Sequence, residues 1–258
     1  MAKIHSTATI EAGAVLADDV EVGAYTFIGG EVELCPGVVV ASHVAVVGRT
    51  RVGENTQLFS FAALGGEPQD RGFSGESTRL EIGRDNVIRE HVTINVGTPQ
   101  GGGCTRIGDD NLIMNGAHIA HDCQVGSHVT LASFCGLAGH VNVEDHAVLG
   151  AYAGVHQFSR VGESVMAASN AKLSRDAPPF SMVAGDRARL VGLNLLGLKR
   201  RGFTPETVQT LKHAFRVVFR SRLQLQDALV KVRSDLAISP EVARLLGFLE
   251  KSERGFCR

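Results

Sequence analysis

IGDDNL IMNGAH IAHDCQ VGSHVT LASFCG LAGHVN VEDHAV LGAYAG VHQFSR VG, residues 107–162, reads as hexapeptides, each opening on Ile, Leu or Val. Worked outward, the phase runs back through Ile82, Ile88 and Ile94. It continues back along Ile4, Ile10, Leu16 and Val22 up to Leu58 and Leu64. It runs forward to Val161, Ala167 and Leu173, and only Ala167 is not Ile, Leu or Val. A six-residue period fits neither a single helix nor a hairpin sheet, and it predicts a parallel β-helix. Three hexapeptides make one triangular coil, so a residue lies beneath the one 18 positions on. Gly often follows the aliphatic residue, and small or β-branched residues such as Ala117, Cys123 and Val129 recur four past it.

The same arithmetic finds two loops. Leu64 to Ile82 keeps phase although residues 67–79 break the pattern, and Ile94 to Ile107 gains residues in the Gly-rich stretch 97–104. Both are expected to protrude, and loops on a rigid scaffold are where binding groups concentrate. Pro178-Pro179 then ends the strand pattern. Thr204-Pro205-Glu206 and Ser239-Pro240-Glu241 read as helix starts. A further amphipathic stretch spans 225–236. The expected organisation is a β-helix over 1–185 and a small C-terminal α-helical domain over 186–258.

With 258 residues, 44% of them hydrophobic, the chain can build a substantial core. No apolar run approaches a membrane span, so no stable membrane insertion is expected. The first repeat begins at Ile4, which leaves no room for a signal peptide. Five Cys include no C-x-x-C pair, and Cys123 and Cys135, at the small inward position of their hexapeptides, read as reduced core residues of a cytoplasmic protein. Residues 187–258 carry 15 Lys and Arg against 6 Asp and Glu, whereas the whole chain is at −1. A basic domain beside an acidic prism predicts an anionic partner near the helices. No nucleic-acid motif or interleaved aromatic accompanies that charge, so nucleic acid is not the expected partner.

Histidines carry the chemistry. His121, His140 and His156 fall in hexapeptides opened by Ile119, Leu137 and Val155, one coil apart each, and His118 precedes the first. With strands about 4.8 Å apart, this column spans roughly 10 Å. Imidazole suits general-base catalysis at neutral pH, and Asp122 beside His121 could fix its tautomer. Imidazole is also a common zinc ligand. However, the neighbours Asn115, Gly139 and Gln157 are hydrogen-bonding groups suited to a polar organic substrate, and no metal is expected.

The stretches NGAHIAHDCQVG (115–126), LAGHVNVEDHAVLG (137–150) and VHQFSRVG (155–162) resemble the UDP-N-acetylglucosamine O-acyltransferases, first enzymes of lipid A biosynthesis. GEPQD (66–70), GTPQGGGCTRIG (97–108), DAPPF (176–180) and NLLGLKRRGF (194–203) extend the likeness over nearly the whole chain. The resemblance implies a left-handed β-helix, a homotrimer with sites between subunits, and no cofactor. It implies transfer of an (R)-3-hydroxyacyl group from acyl carrier protein to the 3-hydroxyl of UDP-N-acetylglucosamine. His121 matches the general base, Asp122 its partner, and Gly139 the backbone N–H facing the thioester oxygen. His118, His140, His156 and Gln157 match substrate-binding positions, Asp70 a carboxylate that binds the glucosamine, and Asn194, Arg200 and Arg201 nucleotide contacts. Ser169 matches the far end of the acyl groove. The chain departs from the family pattern at Gly72, Leu196, Asn95 and Val96. These departures leave open a paralogue acylating a modified UDP-sugar, such as a 3-amino derivative. A zinc-dependent hydratase resembling gamma-class carbonic anhydrase is the further alternative.

Overall fold

A computed structural model describes residues 1–236 and 238–258. The hexapeptides become short strands, mostly of two residues, separated by turns. Among the described residues they stack into three sheets of eleven, nine and eight strands, wound around one prism and parallel except for the last strand of the eleven. Ile119 pairs with Leu137 and Leu137 with Val155, so the 18-residue offset is the strand register. The offset widens where the loops intervene: Gln57 pairs with Val87, and Thr93 with His118. Strands Arg79–Ile82 and Cys104–Ile107 begin one residue inside the expected loop spans.

The aliphatic residue opening each repeat points into the prism. Ile28, Leu64, Ile94, Ile119, Leu137 and Leu149 are fully buried. Strands closed on the inside this way favour branched aliphatics, and parallel sheets favour covered faces. Ile4 stays exposed because it opens the first coil, where nothing lies below it. The five cysteines are buried and unpaired.

The corners between sheets are tight, and many hold a non-Gly residue with positive φ, including Asp122, His140 and Phe158. That conformation costs an L-residue roughly 1–2 kcal/mol. Contacts between coils offset it. His140 N–H donates to His121 O at 3.0 Å, and Phe158 N–H donates to Gly139 O at 3.2 Å. Rings at these corners stack, as His140 does on Phe158 with centroids 4.4 Å apart.

Parallel pairing gives way to an antiparallel hairpin, Ser181–Ala184 with Arg189–Leu193, which straddles the expected boundary at 185. Among the described residues four helices follow: α1 (Leu195–Arg200), α2 (Pro205–Arg220), α3 (Leu225–Asp235) and α4 (Pro240–Glu250). Thr204 and Ser239 cap α2 and α4, each ahead of a Pro at the first helical position. Leu211, Leu229 and Leu245 form their core, and Phe180 joins it from the end of the prism. The domain is also tied by charge. Arg201 and Arg244 converge on Glu163, a largely buried side chain of the prism. The final residues return to the β-helix: Cys257 N–H donates to Asp176 O, and Asp176 N–H donates to Gly255 O.

Candidate active site

The nine-stranded sheet carries the site. Strands His118–Ile119, Gly136–Leu137 and Gly154–Val155 lie on successive coils. The corner after each supplies His121 and Asp122, then Gly139 and His140, then His156 and Gln157. The repeat therefore brings the expected histidines to one edge.

Asp122 is the anchor. Its side chain is 0% exposed, and its Oδ1 accepts from Thr98 N–H at 2.8 Å. Its Oδ2 accepts from the Thr98 hydroxyl at 2.6 Å and contacts His121 Nδ1 at 2.8 Å. A carboxylate can only accept, so Nδ1 of His121 carries the ring proton. Its Nε2 is left with a free lone pair, as a general base requires. The Asp122 N–H is itself held by Thr105 Oγ1 at 2.8 Å.

The second loop is a cover for this carboxylate. Thr98 caps the short turn Pro99–Gly101. A Cβ on Gly101 would overlap the Asp122 carboxylate, and one on Gly97 would sit 2.9 Å from its Oδ1. The glycines at 97 and 101 allow the backbone to close over a buried charge. Neither Thr98 nor Thr105 follows as a partner of Asp122 from a motif in the chain. Coil arithmetic does place 105 beneath 123, but the Asp122–Thr98 bond depends on the loop's path.

Gly139 has a second role besides the one expected. A Cβ there would stand 2.6 Å from His121 Cε1 and 2.7 Å from Nε2, so the ring packs onto the bare backbone. Its N–H has no acceptor among the described residues. His140 meets His121 edge-on, centroids 5.1 Å apart, with its Nε2 3.7 Å from Asp122 Oδ2. His118 Nδ1 bonds the Thr93 hydroxyl at 2.7 Å. Burial, with the His121 charge second, pushes His118 below the usual imidazole range, which favours its neutral form. His156 Nδ1 lies 3.1 Å from Gln157 O and 3.3 Å from Arg254 of the C-terminal tail, a neighbour that no spacing in the chain announces.

A cavity of about 520 Å³ opens beside these groups, floored by Gly136, Leu137, Gly154 and Val155 and flanked by His118 and His156. Its lining is mostly apolar, with His118 and His156 at its sides, a trough of a shape and chemistry that an acyl chain would fit. His121, Asp122 and His140 also offer ligand atoms within 4.8 Å of one another. Asp122 Oδ2 already serves two donors, so an ion would have to displace the His121 bond.

The remaining expected residues lie elsewhere. Asp70 sits on the first loop, where its Oδ1 accepts from Gly72 N–H at 2.9 Å. Asn194 caps α1, with Oδ1 accepting from Gly197 N–H and Nδ2 donating to Ser164 O. Arg201 turns inward to Glu163 at 2.7 Å, whereas Arg200 is exposed without an ion pair among the described residues. Ser169 is on the exposed turn after Met166–Ala167, outside the trough lining. Of the departures, Asn95 and Val96 are buried, and Asn95 Nδ2 holds the first loop's base through Glu67 O at 2.8 Å. They anchor a loop, while Gly72 and Leu196 are exposed.

Two family models match: Udp N-acetylglucosamine O-acyltransferase, Domain 2, over residues 176–257, and the bacterial transferase hexapeptide over 104–139. The acyl-[acyl-carrier-protein]--UDP-N-acetylglucosamine O-acyltransferase of Thermodesulfovibrio yellowstonii is 45% identical over 258 residues, covering both chains fully. That of Thiobacillus denitrificans is 48% identical, again over both full lengths. Among solved structures, LpxA from Acinetobacter baumannii superposes with a TM-score of 0.96 at 41% identity, over 99% of each chain. The UDP-N-acetylglucosamine acyltransferase of Arabidopsis does so with 0.88 at 33% identity, over 99% of this chain and 100% of that one. The fold is thus a left-handed parallel β-helix with a helical C-terminal domain.

Proposed function

The chain belongs to the UDP-N-acetylglucosamine O-acyltransferase family, and on that footing we propose how its residues perform acyl transfer in lipid A biosynthesis. It is an enzyme, an acyltransferase. The donor is an (R)-3-hydroxyacyl thioester on acyl carrier protein, and the acceptor is the 3-hydroxyl of UDP-N-acetylglucosamine. A sugar hydroxyl is a weak nucleophile, so the step needs a base, worth typically 10²–10⁴-fold. His121 Nε2 takes the hydroxyl proton as the oxygen attacks the thioester carbonyl. The Asp122 carboxylate, held by Thr98, steadies the imidazolium that forms. The negative charge on the former carbonyl oxygen falls to the unpartnered Gly139 N–H. Collapse expels the carrier's thiolate, which takes the proton from His121. The observation that carries this reading is the Asp122–His121 contact of 2.8 Å, which leaves Nε2 free beside the apolar trough.

Two of the groups proposed for the sugar nucleotide, Asn194 and Arg201, do not join the His121 corner within one chain. Arg201 and Asn194 are bound to Glu163 and Ser164, at a corner of the prism away from His121. A complete cleft therefore takes a second copy, and a homotrimer supplies it. Phe61, Phe134 and Tyr152 form exposed rings along one corner, each about half accessible in the single chain, and suit burial between copies. His118, His140, His156 and Gln157 contact the sugar and donor from the column. The basic helical domain faces the acidic carrier protein. No helix among the described residues is long and apolar enough to cross a membrane. The test of acceptor identity is a matrix of UDP-sugars with product read by mass. Acylation of plain UDP-N-acetylglucosamine supports the reading, and activity only on a 3-amino analogue moves the chain to the paralogue.

A further inference from the structure

We infer that Thr98 is a positioning residue for the His121 base, acting through the Asp122 carboxylate, an inference that rests on the acyltransferase reading above. A charge sealed from water is costly unless it is hydrogen-bonded. Asp122, with its side chain fully buried, takes two of its donors from this one residue: the Thr98 N–H reaches Oδ1 at 2.8 Å and the hydroxyl reaches Oδ2 at 2.6 Å. His121 Nδ1–H is the third, on Oδ2 at 2.8 Å. The hydroxyl can bond in only one sense. A carboxylate only accepts, so the hydroxyl proton lies on the bond to Asp122. Its oxygen in turn accepts from Gly101 N–H at 3.2 Å. A directed chain therefore runs from Gly101 through Thr98 to Asp122, and the base bonds the oxygen where it ends.

Held on both oxygens, the carboxylate cannot turn. Its Oδ2 then fixes the plane and tautomer of the His121 ring, and so the direction of the Nε2 lone pair. The loop that carries Thr98 is itself fastened. Gly103 N–H donates to Thr98 O at 2.8 Å, Gly97 N–H donates to Arg79 O at 3.2 Å, and Arg79 N–H donates to Gly103 O at 2.9 Å. Both ends of the loop are thus tied to the strand Arg79–Ile82, one coil below. Thr98 is 2% exposed and lies outside the trough lining, so it is no substrate contact. Whatever it contributes to the reaction passes through Asp122.

The test measures kcat and KM for wild type, His121→Ala, Thr98→Val, Thr98→Ala, Thr98→Ser, Asp122→Asn, and Thr98→Val combined with Asp122→Asn. The donor is 3-hydroxyacyl carrier protein. The acceptor is whichever of UDP-N-acetylglucosamine and its 3-amino analogue the wild type acylates, and thermal melting gives the folded fraction of each variant. Thr98→Val keeps the shape and loses the hydroxyl, and it lowers kcat by on the order of 10–10²-fold. KM for both substrates stays within about twofold, since no contact to either is lost. Thr98→Ala behaves in the same way, and Thr98→Ser, with the hydroxyl back, recovers most of the rate. On top of Asp122→Asn, the Thr98→Val change costs less than about twofold, because the carboxylate it acts on is gone. A near-wild-type kcat in folded Thr98→Val or Thr98→Ala overturns the inference. So does Thr98→Ser as slow as Thr98→Ala, or an equal loss with and without Asp122. Undiminished turnover by His121→Ala rejects the base and this role together, whereas slow His121→Ala beside fast Thr98→Val rejects the Thr98 role alone. If the wild type acylates neither acceptor, both readings fail.

Discussion

Replacing Asp122 by Asn removes a charge that no solvent touches and reverses the polarity of one hydrogen bond. Oδ1 can still accept from Thr98 N–H, now at 2.8 Å. The other oxygen currently serves the Thr98 hydroxyl at 2.6 Å and His121 Nδ1 at 2.8 Å. An amide nitrogen in its place donates, so His121 must accept on Nδ1 and carry its proton on Nε2. That tautomer cannot act as the base. The expected loss in kcat is about 10²–10⁴-fold, or roughly 3–5.5 kcal/mol in activation free energy. KM for either substrate should change little, because the Asp122 side chain is sealed from the cleft. Stability should fall by only about 1–2 kcal/mol, since the Thr98 bonds can be rebuilt with the hydroxyl turned. Steady-state kinetics on Asp122→Asn, His121→Ala and the double variant provide the check. The two residues act as one unit, so the double variant should be no slower than His121→Ala alone. A near-normal kcat in Asp122→Asn, or losses that simply multiply, would refute the reasoning.

Gly139→Ala places a Cβ 2.6 Å from the His121 ring and must push the base aside, so kcat should drop on the order of 10²-fold while the melting temperature moves little. Glu163→Gln unpairs Arg201 and Arg244. Both arginines are partly solvated, so the cost should be about 1–3 kcal/mol, read as a lower midpoint in denaturant. His118 is held below the usual imidazole range by burial, so the unfolded chain binds its proton first as pH falls. Stability should decline as pH drops through about 6.5 toward the lower folded value, and His118→Gln should flatten that decline in melts across this range.

The repeat, its phase across both loops and the column of His121, His140 and His156 were legible in the sequence because a prism converts spacing directly into position. The 18-residue offset holds from strand to strand between the second loop and Leu173. The loops were legible only as gaps. That Thr98 closes on Asp122, and that Gly97 and Gly101 let it, depends on a loop path with no period. The return of the tail to bring Arg254 beside His156 is a tertiary event of the same kind. Helix α1 is short and opens on the exposed pair Leu195 and Leu196, so it carried no apolar stripe to announce it. Asn95 and Val96 stand where the family pattern has other residues, and their burial, with the Asn95 bond to Glu67 O, ties them to the base of the first loop, a contact the linear pattern does not encode.

The central claim is that His121 is the base for acylating a UDP-sugar hydroxyl. It is tested most directly by incubating wild type and His121→Ala with 3-hydroxyacyl carrier protein and UDP-N-acetylglucosamine, then weighing the nucleotide product. The account predicts one added 3-hydroxyacyl group, linked as an ester that hydroxylamine cleaves, from metal-free wild-type trimer. It predicts a rate about 10²–10⁴-fold lower from an equally well-folded variant. Undiminished transfer by His121→Ala, or transfer that appears only when zinc is added, would contradict it.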